Sequence, residues 1–133
     1  MASILVTGAR DWTNVDRVRQ VLESNTQFNP IIIHGDCKGV DRICGNVGES
    51  LGFEIRARPA DWRLGRCAGV IRNSSMIEEL LQLQLSEYRT CVLTFHDALD
   101  HSRGTKDCVK KALKAGLTVY SISSTEIKHI STL

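Results

Sequence analysis

The chain has 133 residues, of which 42% are hydrophobic and 24% charged, and a formal net charge of +2. That is the make-up of one globular domain over residues 1–133. The charge is too small to point to nucleic acid, and no apolar run approaches the roughly 20 residues of a membrane-spanning helix.

The chain opens on an apolar run, residues 3–7, ending at Gly8, which reads as a buried central strand. No basic leader precedes it, so no signal peptide is expected. The five cysteines, at 37, 44, 67, 91 and 108, include no Cys-x-x-Cys and no metal spacing with the histidines. Reduced thiols, a cytoplasmic location, no metal and no cofactor are the expectation.

After Gly8 comes a polar loop, with Asn14 as a helix cap and Val15, Val18, Val21 and Leu22 on one helical face. Asn29-Pro30 breaks the chain before a short β-branched strand, Ile31-Ile32-Ile33. A Gly-rich turn over residues 34–41 leads into a second helix with Ile43, Cys44, Val47 and Leu51, stopped by Gly52. Residues 53–58 alternate apolar and polar, as an edge strand does, and Pro59 ends them. A third helix is expected over residues 71–85 and a strand over 91–95. The turn at 101–107 then opens a helix with Cys108, Val109, Ala112 and Leu113, which Gly116 ends. Residues 117–122 read as the last strand, and the tail from 125 to 133 as a loose helical turn or two.

Strand–helix alternation with short links predicts an α/β fold: a Rossmann-like open parallel sheet of about five strands, order 3-2-1-4-5, with helices on both faces. Strand order reverses between strands one and four, so a crevice opens at their carboxyl ends. Four polar loops converge there. The turn at Ser102-Arg103-Gly104-Thr105 has the makings of a phosphate site, because a helix start carries unpartnered N–H groups and partial positive charge. Gly8, Gly35 and Gly39 allow close backbone approach. Arg10, Arg72 and Arg103 offset anionic charge, and Asn73 sits beside Arg72. Asp41 either caps the second helix or accepts from a ribose hydroxyl. Trp12 and Trp62 are either lids on the core or stacking platforms for a base.

Taken in order, Gly8-x-Arg10-Asp11-Trp12, Gly35-x-x-x-Gly39-x-Asp41, Pro59-Ala60-Asp61-Trp62, Gly65-Arg66-x-Ala68-Gly69-x-x-Arg72-Asn73-x-x-Met76 and Ser102-Arg103-Gly104-Thr105 resemble the YspA-type, cpYpsA-related branch of the SLOG superfamily. The resemblance implies a Rossmann-like fold that binds a nucleotide-derived small molecule, with NAD-derived ADP-ribose a favoured ligand. It also links the chain distantly to the LOG-type phosphoribohydrolases, which carry Gly-Thr-x-x-Glu. Here the glutamate position is Cys108, with Asp107 one place before it. An N-glycosidic hydrolase using Asp36, Asp41, Asp61 or Asp107 is therefore the second reading. Single-stranded nucleic-acid binding by Lys106, Lys110, Lys111 and Lys114 is the third. The wide apolar arc of residues 76–85 adds the expectation of a homodimer or larger homo-oligomer, with the tail's Ile127 and Ile130 as the alternative cover.

Overall fold

The structure, a computed structural model, describes residues 1–98 and 102–133. His101, which the sequence reading placed at the head of the last turn, lies outside the described residues. The described strands are β1 (Ala2–Gly8), β2 (Ile31–His34), β3 (Ile55–Ala57), β4 (Arg89–Phe95), β5 (Val119–Ile122) and β6 (Ile127–Ile130). They form one sheet in the order β3-β2-β1-β4-β5-β6. The first five are mutually parallel, and β6 returns antiparallel to β5. The sheet order expected from the sequence holds for the five parallel strands, and β6 extends it. The tail is thus a strand and not the helical turn expected. Once β5 offered an open edge, residues 127–130 paired with it, Ile130 opposite Val119 and Ile127 opposite Ile122.

The helices are α1 (Val15–Glu23), α2 (Val40–Ser50), α3 (Ala68–Leu85) and α4 (Arg103–Lys114). Asn14 caps α1 as expected, accepting from the Arg17 N–H at 3.0 Å. A 3₁₀ helix over Trp62–Cys67 leads into α3, which starts three residues earlier than the apolar pattern showed.

Alternation along the central strands sends side chains to two separate cores. Ile4 and Val6 of β1 join Val18, Leu22, Cys44 and Val47 under α1 and α2. Leu5 faces the other way, with Met76, Ile77, Leu80, Val109 and Ala112 under α3 and α4. The strands buried on both faces are therefore nearly continuous apolar runs, whereas β3 at the edge is not.

The broad apolar arc of α3 is largely satisfied within the chain. Met76, Ile77 and Leu80 are buried, and Leu83 packs on the same core as Ile130 of β6. Leu85, at the end of the arc, is 79% exposed. The arc from Met76 to Leu83 therefore packs on a core that Ile130 also joins. Ile127, at 55% exposed, does not share in it.

Replacing the fully buried Leu80 with Ala is expected to cost about 2–5 kcal/mol, by lost transfer and a residual cavity. Leu85→Ala should change stability by less than about 0.5 kcal/mol. Urea denaturation of the two variants checks which stripe of α3 faces the sheet.

Candidate functional site

A cleft of about 660 Å³ opens where the strand order reverses, at the carboxyl ends of β1 and β4. Its walls come from the loop after β1 (Gly8, Arg10, Trp12), from α2 and α3 (Asp41, Arg72, Asn73), and from the start of α4 (Ser102, Arg103, Gly104, Thr105). These ten of the expected site residues come together there. The sequence reading missed Asp97 and Ser124, which close the side next to β5. Ser124 donates its N–H and its hydroxyl to Asp97, each at 2.9 Å. These bonds hold the Asp97 carboxyl below the usual carboxylate range, so an ionised acid stands on the rim. Asp97 follows β4 by two residues, a place where switch-point loops carry ligand contacts, and that position was the available signal.

A continuous hydrogen-bonded network builds the cleft. Asp41, at the second position of α2, does not cap its own helix. Its Oδ2 accepts from the N–H of Gly35 at 3.0 Å and of Cys37 at 3.2 Å, folding the loop after β2 back onto α2. Arg72 reaches across from α3 and donates Nη1 to the Gly35 carbonyl, Nη2 to Cys37 Sγ and Nε to Asn73 Oδ1. Asn73 in turn donates Nδ2 to the Gly104 carbonyl at 3.1 Å and to Asp107 Oδ2 at 3.0 Å. Lys111 pairs with the same Asp107 oxygen at 3.0 Å and donates to the Val70 carbonyl at 2.9 Å. On the far side Ser102 donates to Thr105, and Thr105 donates to the Gly8 carbonyl at 3.0 Å. The end of β1, the loop after β2 and the helices α2, α3 and α4 are thereby locked in one arrangement.

This network revises several sequence-based expectations. Arg72, read as a counter-charge for phosphate, holds loop and helix together with all three of its nitrogens. Gly8 and Gly39 serve packing within the chain. A Cβ on Gly8 would overlap the Phe95 carbonyl, and one on Gly39 (φ +85°) would overlap the carbonyls of Ala9 and Arg10. Gly39 does not line the large cleft, and Gly35 lies beneath the Arg72 guanidinium. Trp12 is 6% exposed, edge-on to Phe95 with ring centroids 5.8 Å apart, and donates to the Asn14 carbonyl at 3.0 Å. It is a core lid whose edge reaches the cleft.

Of the four candidate acids, only Asp41 lines the large cleft. Asp36 lies in a smaller neighbouring cleft, 3.5 Å from Arg42. Asp61 caps the 3₁₀ helix and pairs with Arg63 at 2.9 Å, which lowers its pKa, and it lines neither cleft. Asp107 is tied into the network. Burial raises the Asp41 carboxyl above its ordinary value, against the pull of the Cys37 N–H and of His34.

His34 sits behind this loop. Its Nδ1 accepts from the Asp36 N–H at 2.9 Å, which leaves the ring proton on Nε2, against Gly45. Burial pushes the imidazole below its ordinary 6.5, outweighing Asp41 and Asp36. No group of three His, Cys, Asp or Glu side chains among the described residues is placed to hold a metal, and no described helix is long and apolar enough to cross a membrane.

A parallel sheet with its cleft at the β1–β4 switch point defines a Rossmann-like α/β protein. Within that class, residues 2–65 match the profile of the YspA, cpYpsA-related SLOG family. The match supports a nucleotide-related function and a small-molecule ligand. The Gene 61 protein of Mycobacterium phage D29 is 29% identical over 128 residues, covering 90% of this chain and 94% of that protein. The crystal structure of TM1055, a structural-genomics target, aligns with a TM-score of 0.64 over 90% of this chain and 72% of that one. At 13% identity that likeness shows the fold.

Asn73→Ala removes one hydrogen-bond partner each from Asp107, the Arg72 guanidinium and the Gly104 carbonyl, and should cost about 1–3 kcal/mol in urea denaturation. A pH effect follows from His34. Its lowered pKa means that the folded state binds this proton less readily than the unfolded chain does. The stability it contributes is complete above 6.5 and is lost as pH falls from there through the folded value. Wild type should therefore lose more stability than His34→Gln between about pH 7.5 and pH 5.5. Equal losses in the two proteins would refute it.

Proposed function

We propose that the chain binds a nucleotide-derived ligand, carrying phosphate and ribose, in the large cleft, with the phosphate at the start of α4. One observation carries this reading. Ser102 stands at the cap position of α4 but makes no capping hydrogen bond, because its hydroxyl is turned to Thr105. The first N–H groups of the helix are thus left without a side-chain cap at the cleft wall, where they and the helix dipole favour an anion. Arg10 and Arg103 line the same cleft, and no ion pair engages either among the described residues. Gly104 adds room, since a Cβ there would meet nothing within 4 Å. Asp97 and Asp41 are the acceptors within reach of sugar hydroxyls. ADP-ribose is the candidate ligand that the family resemblance brings forward. Of the four acids that the hydrolase reading offers, Asp41 alone lines this cleft, and it is already engaged by two backbone N–H groups. A cytoplasmic location belongs with this reading.

A thermal-shift screen with AMP, ADP, ADP-ribose, NAD and cyclic ADP-ribose tests the proposal. A true ligand at about 100 times its Kd adds roughly 2.7 kcal/mol. Gly104→Val should weaken that ligand about tenfold or more, equivalent to roughly 1.4 kcal/mol, while the unfolding temperature without ligand stays near wild type. Unchanged affinity in the variant would sink the phosphate assignment, and free base appearing in the same incubations would favour the hydrolase.

A further inference from the structure

Beside the large cleft lies a second one of about 260 Å³, and the two share Arg10, Cys37 and Arg72 as a common wall. We infer that they form one two-part site, in which the smaller cleft takes the aromatic base of the ligand on Trp62 while an anionic linker crosses at Arg10. The inference rests on the proposed binding of a phosphorylated ligand in the large cleft and assigns the ligand's other end.

The second cleft is basic. Arg10, Lys38, Arg42 and Arg72 line it against one carboxylate, Asp36, which is 3.5 Å from Arg42. Lys38 is exposed and makes no ion pair among the described residues. A negatively charged linker is therefore matched by charge that the protein itself does not neutralise. Trp62 stands on the wall of this cleft and is 60% exposed, whereas Trp12 is 6% exposed. An indole ring so placed keeps a large apolar face in water, and stacking of a planar base removes it. The 3₁₀ helix that carries Trp62 is capped by Asp61, whose Oδ1 accepts from the Arg63 N–H at 3.2 Å, and the ring's edge lies 3.8 Å from where a Cβ on Gly69 of α3 would stand. The chemical class that fits is a nucleoside diphosphate derivative, with sugar phosphate at α4, a second phosphate at Arg10 and a base over Trp62.

Ribose 5-phosphate and ADP-ribose separate the two halves of the site. Trp62→Ala is expected to weaken ADP-ribose about tenfold or more by calorimetry and to leave ribose 5-phosphate unchanged, with Trp62→Phe restoring most of the loss. Acrylamide quenching of tryptophan fluorescence, which reads mainly the exposed Trp62, should fall on adding ADP-ribose and stay constant with ribose 5-phosphate. If both compounds bind in a Gly104-dependent way but Trp62→Ala and the quenching leave ADP-ribose unaffected, the two-part site is overturned and the phosphate reading stands. If neither compound binds wild type, both readings fall together.

Discussion

Everything at the cleft depends on the reach of one side chain. Arg72 spans from α3 to the loop after β2 and, through Asn73, to the first turn of α4. Its donors meet carbonyl, amide and thiol partners in a region where unpaired polar groups are costly, so the arrangement is satisfied as a set or not at all. Asp41 performs the same service from the other side, gathering two N–H groups of that loop with one oxygen. The cleft is consequently preorganised without a ligand. Side chains that look like ligand contacts in the sequence are in large part the frame that keeps the true contacts in place.

This frame explains what was legible in the sequence and what was not. Buried strands four to seven residues long, rich in β-branched residues and followed by polar turns, made the parallel order readable, and with it the location of the cleft. Asn14 announced its cap. The tail did not announce its strand, because Ile127 and Ile130 stand at helical spacing and the connecting residues Ser123-Ser124-Thr125-Glu126 carry no glycine or asparagine. The hairpin is closed instead by the Ser123 hydroxyl, which accepts from the N–H groups of Thr125 and Glu126. Glycines were the other blind spot. A sequence shows that a Cβ is missing but not what occupies its place. At Gly8 the occupant is the β4 backbone, and at Gly35 it is a guanidinium.

The division between frame and contact also separates two kinds of arginine. Arg72 is part-buried and bonded by all its nitrogens, while Arg10 and Arg103 stand exposed on the cleft walls. Guanidinium groups bonded throughout have little capacity left for an incoming phosphate, whereas exposed ones exchange only water for it. Identical residue types in neighbouring motifs thus carry different work, and burial decides which.

The central pairing of the sheet has a kinetic consequence. β1 pairs with β4 along its whole length, Ala2 opposite Arg89 through Gly8 opposite Phe95. Forming that pair closes a loop of about 87 residues, whose entropy must be overcome before the contacts repay it. The β1–β2 and β2–β3 pairs close shorter loops, at a smaller entropic cost. Ligand-binding competence therefore has to appear with the slowest, most non-local step of folding, after much of the helical structure is in place. A chain released before residue 95 emerges has neither wall of the switch-point crevice complete, whatever its local order.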